Sequence, residues 1–132
     1  MKKKPNNSVA SYLCGRSDVI SVAATDRDDR LARFSNFGVE SVDIAAPGVG
    51  VLSTLPGGRY GTANGTSMAA PHVAGTAALI WSEVPDASFA EVRQALLEGV
   101  ESLPELATKT VTGGRLNAKR ALDSNAFAPL AI

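Results

Sequence analysis

Cysteine is nearly absent. Cys14 stands alone, which excludes an internal disulfide and leaves a cysteine-based metal cage without partners. A half-buried thiol with no reactive role is the plain reading of such a residue. Histidine is equally scarce: His72 is the single imidazole in the chain. Excess charge is missing as well, since thirteen basic residues balance thirteen acidic ones. No long-range field therefore draws the chain toward nucleic acid or an anionic membrane, and neither is expected as a partner. No uninterrupted apolar run approaches the roughly eighteen residues of a spanning helix. The one cluster of a single sign, Lys2-Lys3-Lys4, leads into Pro5-Asn6-Asn7-Ser8 and not into an apolar stretch, so no export signal is read there.

What is present suffices for one domain with a real core: 132 residues, 45% of them hydrophobic. Val19–Ala24, rich in β-branched residues and ending at the polar run 25–30, predicts a buried strand followed by a loop. Val42–Ala46 stops at Pro47-Gly48, and Val51–Leu55 stops at Pro56-Gly57-Gly58, giving two more short strands. From Ser67 to Trp81 the chain is apolar on nearly all sides with alanine and glycine interleaved, which predicts a helix buried all round. Ser88-Phe89-Ala90-Glu91 has capping-box spacing and opens a second helix with apolar positions at Phe89, Val92, Leu96 and Val100. A third, shorter helix is predicted from Asn117 to about Leu122, and a frayed tail beyond it around Pro129. Strands followed by a buried helix indicate an α/β layered domain.

The stretch from Gly61 to Ser67 places a flexible turn directly before a helix, so the Ser67 hydroxyl falls in the first helical turn. Unpaired N–H groups and the positive dipole end at that location stabilise negative charge, and acyl transfer develops an oxyanion beside its nucleophile. The backbone N–H of Ser67 is the natural donor. Pro71, four residues on, is expected to cost little hydrogen bonding and to stiffen the turn. By itself the pattern more often describes an ordinary helix cap. Competing chemistries fit poorly: an α/β-hydrolase elbow needs glycine where this chain has Ala69, and no serine is followed three residues later by lysine. Gly48-Val49-Gly50 is only the start of a dinucleotide fingerprint and leads into a strand. The glycosylation patterns at Asn6 and Asn64 carry no weight.

Gly65-Thr66-Ser67-Met68-Ala69-Ala70-Pro71-His72-Val73-Ala74-Gly75 resembles the nucleophile motif of the subtilisin-like serine proteases, the subtilases of peptidase family S8. Val19–Ala24, the segment 34–38, Ala46-Pro47-Gly48 and Ser53-Thr54 follow the order and spacing of that family, and the segment 114–118 with Ala121 resembles its closing helix. The resemblance implies a partial subtilase domain over 9–122, flanked by a poorly ordered start at 1–8 and a tail at 123–132. It implies the C-terminal portion of a three-layer fold, with a mostly parallel sheet and a buried central helix after the nucleophile. By position, Ser67 resembles the nucleophile, Thr66 a neighbour supporting the oxyanion hole, Asn64 a residue on the leaving-group side of the cleft, and Met68 an oxidation-sensitive residue behind the nucleophile. The implied activity is serine-type endopeptidase action on protein or peptide substrates.

A serine hydroxyl needs a general base and a carboxylate to orient that base. The family draws them from Asp-x-Gly and His-Gly-Thr-His segments ahead of the serine motif, and this sequence contains neither. His72, five residues after Ser67 on one helix, lies about 140° around the axis and roughly 7.5 Å along it, so it cannot face the hydroxyl. The family's histidine there is a packing residue. The oxyanion asparagine belongs before the segment matching Val9-Ala10-Ser11, where Asn6 and Asn7 are too close to serve, and Val9 replaces the usual proline. Alone, the chain is expected to be inactive and marginally stable, with an exposed strand edge near Val19–Ala24 and an apolar patch beside the Met68 helix. It is expected to need an N-terminal complementing part or to self-associate; the alternative is a silent remnant or a protein-binding module. An in-frame His-Gly-Thr-His upstream would make Met1 a misplaced start. No cofactor is required by this chemistry. The family often carries structural calcium, but Asp26, Asp28 and Asp29 read better as a solvated loop than as its ligands. The family is largely secreted, and nothing in this chain indicates a location.

Overall fold

A computed structural model describes residues 13–127. Four strands form one sheet in the order β1 (Val22–Thr25), β2 (Ile44–Pro47), β6 (Gly114–Arg115), β5 (Glu101–Ser102). The β1–β2 and β2–β6 pairs are parallel and β5–β6 is antiparallel, so the sheet is mostly parallel as expected. Strands β3 (Val51–Leu55) and β4 (Arg59–Ala63) form a separate antiparallel hairpin. Three helices follow: α1 (Thr66–Glu83), α2 (Phe89–Glu98) and α3 (Ala118–Leu122).

The two-residue repeat of a strand sends neighbouring side chains to opposite faces. Ala24, Ile44 and Ala46 thus join one core with Ala69, Val73 and Ile80 of α1 and Val92 and Leu96 of α2. Ala23 and Ala45 join a second, smaller core with Leu31, Val42 and Leu106 on the other face. Helices cover the first face; the second is covered by the segment 31–42 and a single 3-10 turn at Pro104–Leu106. Ala24 of β1 and Ala46 of β2, both on the helix-covered face, leave room for α1 to lie close on the sheet. Helix α2 starts on the predicted capping box: Ser88 Oγ accepts the Glu91 N–H, and the Glu91 carboxylate accepts the Ser88 N–H at 2.8 Å. The Ser88 hydroxyl, donating to the same carboxylate at 2.7 Å, and the Ser88 N–H hold the Glu91 carboxyl below its usual range. Asn117 caps α3 in the same manner, accepting the Arg120 N–H at 3.0 Å.

Four expectations need correction. Helix α1 is not buried all round: Ala69, Val73, Thr76 and Ile80 face the core, whereas Ala70, Ala74, Ala78 and Leu79 face solvent, because among the described residues nothing packs on that side. Strand β4 was hidden behind Pro56-Gly57-Gly58, which reads as a stop; with both glycines at positive φ it is a turn that sends the chain back along β3. Strands β5 and β6, two residues each, are too short to show a period. The open edge near Val19–Ala24 is only half open. β1 is the terminal strand of its sheet, yet the Ala24 N–H donates to Ser35 Oγ at 2.9 Å and the Ala24 carbonyl accepts the Ala32 N–H at 2.8 Å. Since these groups turn away from β2, the segment 31–35 closes the edge at Ala24, and among the described residues nothing closes it at Val22. Pro129 and residues 1–8 lie outside the described residues, while Ala126 and Phe127 pack against the larger core.

Candidate active site

Ser67 occupies the second position of α1, after Gly65 as N-cap, where its N–H has no intrahelical acceptor. Its side chain is exposed, and among the described residues Oγ makes no hydrogen bond. Pro71 falls beyond the first turn, so it removes the N–H that would have donated to the Ser67 carbonyl, a larger loss than expected from its nearness to the helix start. The hydroxyl opens into a groove of about 430 Å³ between the β3–β4 hairpin and the start of α1, walled by Val51, Leu52, Leu55, Met68, Pro71 and His72. The groove is open to solvent, with Leu52, Leu55, Pro71 and His72 exposed along it.

The loop that presents Ser67 is tied to the end of β2 at two points. The Gly65 N–H donates to the Gly48 carbonyl at 2.8 Å, and the Gly50 N–H donates to Asn64 Oδ1 at 2.6 Å. Gly48 leaves no room for a side chain: a Cβ there would lie 2.5 Å from Ala24 Cβ and 2.7 Å from the Gly65 carbonyl oxygen. Neither contact can yield without moving β1 or the Ser67 loop. Gly48→Ala is therefore expected to cost about 1–3 kcal/mol of stability as overpacking and to displace residues 64–67, measurable by denaturant titration and by amide shifts confined to those residues. An unchanged midpoint with unchanged amide shifts would refute it.

The remaining candidates are dispersed. Asn64 Oδ1 accepts the Gly50 N–H, and the Asn64 side chain is exposed beside the loop that presents Ser67. Thr66 lines a separate cavity of about 210 Å³ with Cys14, Ser21 and Asn36, on the other side of the loop from the Ser67 groove. Cys14 is half-buried there. Met68 stands in the groove wall beside Ser67. His72 was expected to pack; instead it is exposed, because nothing among the described residues covers that flank of α1. Its Nδ1 lies 2.8 Å from the Met68 carbonyl, which can only accept, so Nδ1 carries the proton and the ring is bound to its own helix. The role of Gly48 and the Gly65–Gly48 bond escaped sequence reading; the only signal was a Pro-Gly turn, which does not say what packs on it.

The acidic run is tied into its own loop. Asp26 Oδ1 accepts the Asp28 and Arg30 N–H groups at 2.9 and 3.0 Å, and Asp29 pairs with Arg115. One oxygen of Asp26 is thus committed to the loop and one of Asp29 to a guanidinium, and no cluster able to hold a metal ion is found among the described residues.

Comparison with known proteins agrees with the geometry. The family model described as "Subtilase family" matches residues 2–120. Subtilisin BL of Lederbergia lenta is 42% identical over 114 residues, 86% of this chain and 41% of that protein. Subtilisin amylosacchariticus of Bacillus subtilis subsp. amylosacchariticus is 48% identical over 91 residues, 69% of this chain and 24% of that protein. Among solved structures, the A-subunit of the AB5 toxin from E. coli superposes with a TM-score of 0.73 at 33% identity, covering 88% of this chain and 42% of that one. The chain thus spans about a quarter to two fifths of the length of these relatives. A match across nearly all of the sequence, joined to a mostly parallel sheet with a serine opening α1 at the edge of an apolar groove, places this chain in the subtilase family, peptidase S8.

Proposed function

We propose that this chain is the nucleophile-bearing part of a serine endopeptidase that hydrolyses peptide bonds of protein or peptide substrates through an acyl-enzyme at Ser67. The observation that carries the reading is the Ser67 hydroxyl itself, exposed, without a hydrogen-bond partner among the described residues, at the N-terminus of a long helix and open to an apolar groove. In the reaction Oγ attacks the scissile carbonyl while a base takes its proton. The oxyanion accepts the Ser67 N–H, with the α1 dipole behind it, and the base returns the proton to the departing amine before water releases the acyl group. Thr66 would support the oxyanion side and Asn64 the leaving-group side.

His72 is not the base. A base must come within about 3 Å of Oγ, whereas the His72 ring is held against the Met68 carbonyl one helical turn behind it. The base, the carboxylate that orients it and a second oxyanion donor are supplied by polypeptide other than residues 13–127. Labelling with a fluorophosphonate probe tests this. The chain alone is expected to remain unlabelled; the chain mixed with the part of Subtilisin BL that precedes its matched segment is expected to label at Ser67, and Ser67→Ala to abolish the signal. Absence of label in the mixture, with complex formation shown separately, would sink the enzyme reading in favour of a silent binding module.

A further inference from the structure

We propose that Asn64 and Gly65 form a self-modification site, in which the Gly65 nitrogen closes on Asn64 Cγ with loss of ammonia, and that the hydrogen bond from the Gly65 N–H to the Gly48 carbonyl is the latch that holds this reaction off in the folded chain. The site lies in the loop that presents Ser67, and the proposal stands whether or not Ser67 is a nucleophile. The sequence singles out the position. Of the asparagines Asn6, Asn7, Asn36, Asn64, Asn117 and Asn125, only Asn64 is followed by glycine. Ring closure swings the peptide nitrogen of the next residue toward the side-chain amide carbon, a movement that a Cβ on that residue hinders and glycine allows.

The structure places both reacting groups and the restraint on them. Asn64 is exposed, so water reaches its amide and ammonia can leave. Asn64 Oδ1 accepts the Gly50 N–H at 2.6 Å, and the Gly65 N–H donates to the Gly48 carbonyl at 2.8 Å. Both bonds reach the same short segment, 48–50, so the Asn64 amide and the Gly65 N–H are turned to one side of the loop. The Gly50 N–H draws electron density from Oδ1 and opens Cγ to attack, as a donor aimed at a carbonyl oxygen does in acyl transfer. The Gly65–Gly48 bond acts in the opposite sense. While it is made, the Gly65 proton is held by a carbonyl, and the nitrogen can neither release that proton to a base in water nor turn toward Cγ.

The step balances with water as the only co-reactant. A base in water takes the Gly65 amide proton, the N–Cγ bond forms, the Cγ–Nδ2 bond breaks, and Nδ2 takes up a proton and leaves as ammonia. Water then opens the cyclic imide. Attack at the former side-chain carbonyl leaves aspartate at position 64; attack at the backbone carbonyl leaves isoaspartate, whose main chain is one methylene longer. Aspartate keeps an oxygen for the Gly50 N–H. Isoaspartate lengthens the chain between the two anchor points, so the bonds to Gly50 and Gly48 no longer fit together and the Ser67 loop shifts.

The test uses the full chain at mildly alkaline pH, with peptide mapping by mass spectrometry and enzymatic methyl labelling of isoaspartate. Asn125, exposed as well but followed by Ala126, is the internal reference. In urea, conversion is expected at Asn64 ahead of every other asparagine, and in the folded chain at least about tenfold more slowly than in urea. Below the urea midpoint, conversion at Asn64 and hydrogen exchange at the Gly65 amide are expected to rise together. Gly48→Ala, which crowds the Gly65 carbonyl oxygen, is expected to speed conversion without urea. Asn64→Gln, whose ring would be one atom larger, is expected to abolish it. Should Gly48→Ala fail to fold, the urea series on the unaltered chain decides the latch. Equal rates in the folded and unfolded chain, or conversion that stays constant while Gly65 exchange accelerates, overturns the latch. No conversion at Asn64 in urea, or faster conversion at Asn125, overturns the site.

Discussion

Asp43→Ala is expected to destabilise the chain by about 3 kcal/mol, read as a lowered denaturant midpoint at unchanged slope. The Asp43 side chain is 7% exposed and ties the entry to β1 to helix α2. Its Oδ2 accepts the Ser21 N–H at 2.8 Å, fixing the entry to β1, while Oδ1 accepts from Arg93 of α2 at 2.7 Å. Its backbone carbonyl accepts the Thr112 hydroxyl at 2.8 Å near the entry to β6. Removing the carboxylate strands a buried N–H and a guanidinium whose Nε already lacks a partner among the described residues. Arg93 is 27% exposed, so water relieves part of that cost, which places the effect at the low end of the range for a broken buried pair. Arg93→Leu in the Asp43→Ala background is expected to recover part of the loss. A destabilisation below about 1 kcal/mol, or no recovery in the double variant, would show that the pair contributes no more than a surface ion pair.

Leu96→Ala is expected to cost a similar amount, about 3 kcal/mol, for a different reason. Leu96 is fully buried in the larger core, among the largest side chains that are. Truncation leaves a cavity between α2 and the elements it packs on, and flanking groups as small as Ala95 and Ala121 cannot reach in to fill it. Against a total stability of roughly 5–15 kcal/mol for an ordinary domain, and with one flank of α1 uncovered, this is a large fraction. Broadened thermal unfolding with loss of the cooperative transition is the expected measurement; a shift of the midpoint no larger than that of Leu79→Ala, on the exposed side of α1, would contradict it.

Much of the local structure was legible because it is locally caused. The capping box at Ser88 and Glu91 needs only two side chains three residues apart, and the structure contains it. The start of α1 at Thr66, the cap at Asn117 and the β-branched or alanine-rich runs that become β1 and β2 are of the same kind. The family was legible in the unbroken segment 65–75. What stayed hidden is what depends on residues distant in sequence: the return of β4 along β3, the two-residue strands β5 and β6, the closure of the β1 edge by Ser35, and the steric demand on Gly48 from Ala24 and Gly65.

The sequence by itself determined that Ser67 lies at the start of a helix and that His72, five residues on, faces away from it, since both follow from adjacency and helical pitch; the family came from the resemblance of the segment 65–75. Only the tertiary structure decided which groove the hydroxyl opens into, and that α1 buries one face and leaves the other bare. The physical reason is that composition records how apolar a helix is on every side, whereas burial requires a neighbour. For α1 the described residues supply that neighbour on the sheet side alone.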